Sequence, residues 1–224
     1  EQILNQNMNI NNIDDKLLKY VYDKYSKYKN SKFNIISIQF ALHYFFETKE
    51  KLNNLLDNID NHIQLGGYFI GTGYNGGRIY NKFKELSSNV LFKPENKKDD
   101  ENIYWKIEKE YEETSELDDL FINNRINGKS MNENNVKNID NCFGLSIHVY
   151  QDSINQTLKE YLIHFKYLDE IMKSRGYEKV YIDNLNSIKG GTSFETKNIP
   201  IEERINIQSE INYNFKYFKN EIVK

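Results

Sequence analysis

The segment FNIISIQFALHYFFE, Phe33–Glu47, changes character within a few residues. Its first part, up to Ile38, is a short Ile-rich apolar run, typical of a strand buried on both faces of a parallel sheet. The polar side chains of Gln39, His43 and Tyr44 follow at once, set among aromatic residues. Polar groups at the end of such a strand indicate either a binding site or a set of satisfied core groups. The segment therefore bears on both the fold and the function.

Helical and strand patterns alternate around this segment. Apolar residues recur at helical spacing over residues 14–25 and again over residues 52–63, and the pair Gly66-Gly67 is expected to end the second helix. The run YFIGT at residues 68–72 predicts another strand, and GGRIYNKFKEL at residues 76–86 predicts a third helix. This order predicts an α/β fold with parallel crossovers and a sheet covered on both sides.

The second half of the chain is less regular. Residues 88–140 are polar and acidic and are interpreted as an irregular insertion within one domain that spans residues 1–224. The runs NIYWKIEKEY and CFGLSIHVY alternate and predict two strands, paired antiparallel. KEYLIHFKYLDEIMKSRGY predicts an amphipathic helix, with Glu160 near its N-terminus, and EKVYID and EINYNFKYF predict two closing strands.

Composition limits the classes of function. The chain has 224 residues, a net charge of −3 and a sequence pI near 5.9, so it lacks the basic excess of a protein that grips long nucleic acid. A single cysteine, Cys142, excludes a disulfide framework and favours a reducing, cytoplasmic location. No apolar run is long enough to span a bilayer, and no His/Cys/Asp cluster has metal-ligand spacing. We therefore expect neither a membrane partner nor a metal.

The polar residues after the two predicted parallel strands are expected to share one rim of the sheet. Residues 39–44 leave the first strand and GTGYNGG, residues 71–77, leaves the second. Ligands bind outside the carboxyl ends of parallel strands, and glycines there allow close approach or a positive φ. On the residues alone, the alternative stays open: Gln39 caps the next helix, and His43 and Tyr44 are satisfied core groups.

Two motifs carry a resemblance to a known family. QFALHY at residues 39–44, followed by GGYFIGT at residues 66–72, resembles the central segment of messenger-RNA cap guanine-N7 methyltransferases. The block FGLSIHVYQDSINQTLKEYLIHFKYLDEIMKSRGYEKV resembles a later segment of that family, in the form most like the capping enzymes of large DNA viruses. The resemblance implies a class I, Rossmann-like methyltransferase sheet, mostly parallel with an antiparallel C-terminal strand.

The resemblance also implies a reaction and partners. The activity is methylation of guanine N7 in the mRNA 5′ cap, with S-adenosyl-L-methionine as methyl donor. The expected partners are the capped RNA 5′ end and other capping-enzyme domains or subunits, and the expected location is the host cytoplasm, or the virion if the source is viral. Guanine N7 is already a nucleophile and the sulfonium an activated donor, so positioning suffices and no catalytic acid, base or metal is required.

Residue roles carry over where the motifs match. Gln39, Phe40 and Tyr44 would bind S-adenosylmethionine. His43 and Tyr44 would flank the cap guanine and the transferable methyl group. Glu160 would accept hydrogen bonds from the guanine N1–H and 2-amino group.

The resemblance implies one further residue role, and the chain also departs from the family's pattern at two places. Tyr213, in the last predicted strand, would lie beside the cap. One departure is Tyr74, which stands where the family usually has a proline. The other is the longer, more acidic segment after the second strand. On residues alone, Glu160 is an ordinary acidic residue at the N-terminus of a helix.

The family's cofactor turn, an acidic Gly-rich sequence of the form D-x-G-x-G, has no match in the chain. We therefore expect residues 1–224 to be the C-terminal portion of a methyltransferase domain whose N-terminal strands are missing. The chain alone is expected to bind the cofactor poorly and to expose a strand edge. The alternative is a catalytically silent methyltransferase-like module that stabilises or activates a partner capping subunit.

Overall fold

The described strands form two four-stranded sheets and one short two-stranded pair. The structure is a computed structural model and describes residues 16–25, 28, 31–96, 99–180 and 212–220. The α-helices are α1 (Lys16–Tyr25), α2 (Lys49–His62), α3 (Gly76–Leu86), α4 (Ser115–Phe121) and α5 (Phe165–Ser174), and two 3₁₀ helices lie at Leu42–Glu47 and Val136–Asn138. In the described part of the chain, no helix is long and apolar enough to cross a membrane.

The first sheet has the order β1-β2-β10-β9. Its strands are β1 (Phe33–Gln39), β2 (Ile63–Tyr74), β9 (Tyr177–Lys179) and β10 (Asn212–Lys219). β1 and β2 are parallel, and β10 runs antiparallel to both of its neighbours. Three of its four strands, β1, β2 and β9, thus run in the same direction, and the predicted α/β fold with an antiparallel C-terminal strand is confirmed.

β1 is more exposed than its composition predicts. The expectation of a strand buried on both faces is wrong for the described residues, because Ile35 is 58% exposed and Phe33 is 38% exposed. The reason is the position of β1 at the end of the sheet order: within the described chain it pairs only with β2. Its outer edge leaves backbone hydrogen-bonding groups without a strand partner from those residues.

β2 is longer than predicted. α2 ends at His62, and the pair Gly66-Gly67 lies inside β2 rather than ending the helix. At the other end the strand continues through Gly71 to Tyr74, where a loop was expected. A Cβ atom on Gly71 would lie 2.3 Å from the Ile38 carbonyl oxygen, so this glycine is required by strand packing rather than by a ligand.

The second sheet is wholly antiparallel, and its existence as a separate four-stranded sheet was not predicted. Its order is β3-β4-β7-β8, with β3 (Val90–Asn96), β4 (Asp99–Lys109), β7 (Ser146–Gln151) and β8 (Gln156–Tyr161). The pairing of β4 with β7 confirms that the two predicted alternating runs are antiparallel neighbours. The segment 88–140 is therefore not irregular throughout. It contains β3, β4, α4 and the short strand pair β5 (Arg125–Ile126) and β6 (Lys129–Ser130).

Glu160 lies on a strand, not on a helix, which corrects the sequence prediction. β7 and β8 form a hairpin in which Ile147 is opposite Glu160, and Asn155 takes a φ of +51° in the connecting turn. The helix begins only at Phe165, after His164 caps it by accepting a hydrogen bond from the Tyr167 amide at 3.0 Å. Pairing with β7 therefore outweighs the helical periodicity of residues 159–164.

The two sheets share one apolar core. Phe69 and Phe215 of the first sheet have ring centroids 5.2 Å apart, and Phe165 of α5 is 5.8 Å from Phe215. The second sheet contributes Ile107 and Val149, which are opposite one another across β4 and β7 and are both buried. Because β8 belongs to this packed unit, its side chains are held in place relative to the tips of β1 and β2.

Candidate functional site

The site begins where β1 ends. Phe40 follows β1 with a φ of +47°, a left-handed conformation that L-residues with large side chains rarely adopt. Its backbone amide donates to the Thr72 carbonyl oxygen of β2 at 2.8 Å, which holds the turn in place. The Phe40 ring remains 46% exposed and meets the ring of Tyr74 edge-on, with 5.8 Å between centroids. Such local strain persists where surrounding structure enforces it and marks candidate functional positions.

Gln39 precedes this turn, and its side chain is exposed. Its Nε2 donates to the Ser37 hydroxyl at 2.9 Å. It caps neither the 3₁₀ helix Leu42–Glu47, whose N-terminus has no side-chain cap, nor α2, which is capped by Thr48, whose side chain accepts from the Lys51 amide. The alternative explanation of Gln39 as a helix cap is therefore wrong.

The 3₁₀ helix Leu42–Glu47 carries the next two predicted site residues. Its buried side chains are those of Leu42, His43 and Phe46, and Tyr44 is 45% exposed. The rings of His43 and Tyr44 have centroids 4.1 Å apart. One turn of helix thus presents an inward imidazole and an adjacent outward phenol at the rim of the sheet.

His43 and Glu160 meet, although 117 positions separate them in the chain. His43 Nδ1 lies 3.5 Å from Glu160 Oε2, and the two residues are 4% and 5% exposed. Neither ring nitrogen of His43 has a hydrogen-bond partner among the described residues, and the same holds for Glu160 Oε2. Buried polar atoms without partners are uncommon in proteins and cost stability, which makes this pair a candidate ligand site.

Burial shifts both pKa values away from the charged forms. It lowers the pKa of His43 to about 4 and raises the pKa of Glu160 to about 7. The two side chains are close enough for an ion pair, but burial opposes the protonated imidazole, so near pH 7 His43 is neutral and Glu160 is partly ionised. A neutral imidazole has one N–H donor and one acceptor, and a carboxylate accepts only. Together they suit a planar ligand with both donors and acceptors on its edges.

Tyr74 and Gln151 complete the surroundings of Glu160, and sequence reasoning assigned neither to the site. Gln151 Nε2 of β7 donates to the Tyr74 hydroxyl at the end of β2, which ties the two sheets together. Burial, and after it the nearby charge of Glu160, raise the pKa of Tyr74 well above its ordinary value. The signal that could have identified Tyr74 is its place at the same rim, directly after GTG.

Tyr213 is the remaining predicted site residue. Its backbone lies in β10 opposite Gly73 of β2, at the end of the sheet where Tyr74 is located. Its side chain lies outside the described atoms, so its role stays a prediction. The structure therefore brings Phe40, Tyr44, His43 and Glu160 to one rim and places the Tyr213 backbone near it.

Two further features bear on the chemistry. Among the described residues, no group of three or more His, Cys, Asp or Glu side chains could hold a metal ion. A cavity of about 330 Å³ lies near the starts of α3 and α5, with Asn75, Arg78 and Lys166 in its lining. That lining contains none of the predicted site residues. The site described above is thus separate from this cavity.

Comparison with known proteins matches most of the chain to one family. The model of the mRNA (guanine-N(7))-methyltransferase domain matches residues 11–213. The probable mRNA-capping enzyme of Acanthamoeba polyphaga mimivirus is 27% identical over 160 residues, which is 68% of this chain and 11% of that protein. The mRNA cap guanine-N(7) methyltransferase of Aspergillus clavatus is 21% identical over 185 residues, 82% of this chain and 33% of that protein.

A third similar protein shares a shorter region. The mRNA cap guanine-N(7) methyltransferase of Lodderomyces elongisporus is 49% identical over 63 residues, 28% of this chain and 10% of that protein. A solved S-adenosylmethionine-dependent methyltransferase from Clostridium acetobutylicum matches with a TM-score of 0.43 and 12% identity, covering 96% of this chain and 63% of that one. The chain spans only about a tenth to a third of the length of the curated relatives named here.

Proposed function

The chain belongs to the mRNA (guanine-N(7))-methyltransferase domain family, and from that premise we propose that its rim site binds the guanine of the mRNA 5′ cap for methylation at N7. The observation that carries the proposal is the buried pair of His43 and Glu160: both His43 ring nitrogens and Glu160 Oε2 lack a hydrogen-bond partner among the described residues. A protein gains no stability from such a pair. The loss of stability is understandable if a ligand supplies the missing hydrogen bonds.

Guanine offers the groups that this pair lacks. Its N1–H and 2-amino group are adjacent donors, and one carboxylate can accept a hydrogen bond from each of them. Adenine has no such pair of donors at that edge. Glu160 would hold this edge, and neutral His43 would face another polar atom of the same ring. The exposed ring of Tyr44 can cover a purine face, since stacking on an aromatic ring contributes roughly 1–3 kcal/mol per base.

Methyl transfer at this site would proceed by positioning. S-adenosylmethionine supplies an electrophilic methyl group, and the guanine N7 lone pair forms the new N–C bond as the C–S bond electrons return to sulfur. No proton moves in that step, so His43 and Glu160 need only hold the purine. Correct orientation of two reactants can supply about 7–11 kcal/mol of the barrier reduction. Phe40, with its half-exposed ring at a strained turn, fits the role of a wall on the donor side.

The donor side is incomplete in the described structure, where Gln39, Phe40 and Tyr44 are the proposed contacts. We propose that further parallel strands pair with the outer edge of β1 and complete the binding of S-adenosylmethionine. The exposed aliphatic side chain of Ile35 supports this proposal, because it lies on the strand whose edge is open. On the basis of the same family membership, we propose the capped RNA 5′ end and other capping-enzyme domains as partners, and the cytoplasm as the location.

The test is discrimination between two dinucleotide caps of equal charge, GpppG and ApppA. The 224-residue chain is titrated with each by isothermal calorimetry, so that donor binding is not required. Two hydrogen bonds to a carboxylate are worth about 3 kcal/mol together, so GpppG should bind about 100-fold more tightly. Glu160→Gln should reduce that ratio to less than about 5.

A matched control variant tests whether the loss of cap discrimination is specific to Glu160. Glu170→Gln changes another buried glutamate, on α5, which pairs with Lys166 instead of facing the rim. It should leave the ratio between the two caps unchanged. Equal affinity of the unmodified chain for GpppG and ApppA would contradict the proposal and favour the catalytically silent module.

A further inference from the structure

Glu160 is buried without a cation to compensate its charge. It is 5% exposed, and no Lys or Arg side chain forms an ion pair with its carboxyl group in the described part of the chain. Glu170, which is also buried, has the ammonium group of Lys166 beside it at 2.5 Å. A buried carboxyl group without such a cation favours its neutral form, because the charged form loses its hydration. Burial accordingly raises the pKa of Glu160 to about 7.

His43 does not take the place of the missing cation. Its Nδ1 lies 3.5 Å from Glu160 Oε2, and neither of its ring nitrogens has a hydrogen-bond partner among the described residues. The imidazole is itself buried, and burial lowers its pKa to about 4, so it is neutral at pH 6 and above. In the unliganded chain, the proton of this pair therefore lies on the carboxyl group of Glu160.

The charged groups of the neighbouring strands lie on the opposite face of the second sheet. Lys159 and His148 are opposite one another on β8 and β7, and they contact Glu110 at 3.2 Å and 3.3 Å. Adjacent residues on a strand point to opposite faces, so Lys159 and its partners face away from Glu160.

Two further titratable groups come from the elements packed near β8. Glu47, on the 3₁₀ helix, forms an ion pair with Lys51. Tyr74, at the end of β2, stays protonated because burial raises its pKa well above its ordinary value. Neither residue supplies a positive charge that would favour the ionised form of Glu160.

The protonation state of Glu160 determines which purine edge it matches. A carboxylate only accepts hydrogen bonds, whereas a protonated carboxyl group has one O–H donor and keeps an acceptor. Guanine presents two adjacent donors, its N1–H and its 2-amino group. Adenine presents one donor, its 6-amino group, beside an acceptor, N1. The carboxylate thus fits guanine, and the neutral acid fits adenine.

We propose that binding of the cap guanine is linked to the release of a proton from Glu160, so that the selectivity of this site for guanine over adenine depends on pH. The O–H bond of the carboxyl group breaks, its electron pair stays on the oxygen, and the proton passes to a base in the solvent. The two guanine donors then hydrogen-bond to the carboxylate. The identity of the ligand rests on the proposed function, whereas protonation of Glu160 is a property of the unliganded chain.

The sign and size of the effect follow from linkage. A group that is protonated in the unliganded chain and ionised in the complex weakens binding as pH falls through its pKa in the unliganded chain. With a pKa of about 7, GpppG should bind about 10-fold more weakly at pH 6 than at pH 8, and ApppA should show no such loss. Complex formation with GpppG should release about 0.9 proton at pH 6 and about 0.1 proton at pH 8. GpppG has no terminal phosphate, so the charge of its phosphate bridge stays constant over this range.

The experiment is isothermal calorimetry of the 224-residue chain with GpppG, in buffers of different ionisation enthalpy, which counts the released protons at each pH. Glu160→Gln has no proton to release and should lower the value at pH 6 to less than about 0.2. Glu170→Gln, the matched control, should leave the value unchanged. A value near zero for the unmodified chain at pH 6, or an equal value for Glu160→Gln, would overturn the inference.

A second measurement uses the unmodified chain without ligand, so it depends neither on cap binding nor on the folding of a variant. ¹³C NMR of the side-chain carboxyl groups in Glu-labelled protein follows their titration. One glutamate with a pKa near 7 is expected, and if GpppG does not bind, that result supports the inference and refutes the proposed function alone. If every glutamate titrates below about pH 5 while GpppG binds, the inference is overturned and the proposed function stands.

Discussion

Replacing Glu160 by Gln should make the chain more stable at alkaline pH, because the native structure buries this carboxyl group. Glu160 is 5% exposed, and burial raises its pKa from 4.5 to about 7. Between these two values the folded chain binds a proton that the unfolded chain has released. The native state therefore loses stability as pH rises from about 4.5 to about 7, and glutamine, which does not ionise, avoids that loss.

The size of the effect follows from the two pKa values. A shift of 2.5 units corresponds to about 3.4 kcal/mol between full protonation and full ionisation. Between pH 5.5 and pH 8.5, the range in which the protein can be studied conveniently, the same linkage gives about 2 kcal/mol. This is a large share of a typical unfolding free energy of 5–15 kcal/mol.

The assay is urea unfolding followed by circular dichroism, with the original chain and Glu160→Gln compared at several pH values. The difference in unfolding free energy between them should grow by about 2 kcal/mol in favour of the variant from pH 5.5 to pH 8.5. Glu170→Gln serves as the control, since it makes the same chemical change at another buried glutamate, one that contacts Lys166 instead of His43. A difference that stays constant within about 0.5 kcal/mol across this range would refute the argument that Glu160 is held in an unfavourable environment.

Two further predictions concern the fold. Gly71→Ala should lower the free energy of unfolding by about 3 kcal/mol in thermal or urea unfolding, because the added Cβ would lie 2.4 Å from a ring atom of Phe215. The control is Gly77→Ala, whose added Cβ would lie 3.3 Å from its nearest atom and should cost less than about 1 kcal/mol. Asp60→Ala should cost about 3 kcal/mol in the same assay, because the Asp60 carboxylate accepts hydrogen bonds from Arg175 at 2.8 Å and from two other side chains. The exposed Asp57 also contacts Arg175, and an equal effect of Asp57→Ala would contradict this reasoning.

Local patterns were sufficient for the elements whose side chains follow a single period. The stripe that predicts α2 and the β-branched run that predicts β1 both appear in the structure at those places. In each case neighbouring residues decide the conformation, so a short window of sequence holds the necessary information. The polar residues after β1 also predicted a rim site, and His43 and Glu160 do meet there.

The conformation of Glu160 could not be obtained in this way. Residues 159–164 fit a helical stripe and also fit a strand, and their window does not distinguish the two. Pairing with β7, where Ile147 is opposite Glu160, selects the strand. The exposure of β1 is a similar case, because an apolar run does not reveal how many neighbours a strand has in its sheet.

The sequence by itself determined the family, the α/β class and the residue types available for the proposed purine site. Tertiary structure alone decided that an imidazole and a carboxyl group separated by more than a hundred positions are buried 3.5 Å apart, and that Tyr74 and Gln151 join two sheets beside them. The physical reason is that burial and pairing depend on atoms brought together by the whole fold. These atoms shift the pKa of Glu160 and leave its Oε2 without a hydrogen-bond partner in the part of the chain that the structure describes. No property of the neighbouring residues along the chain encodes either effect.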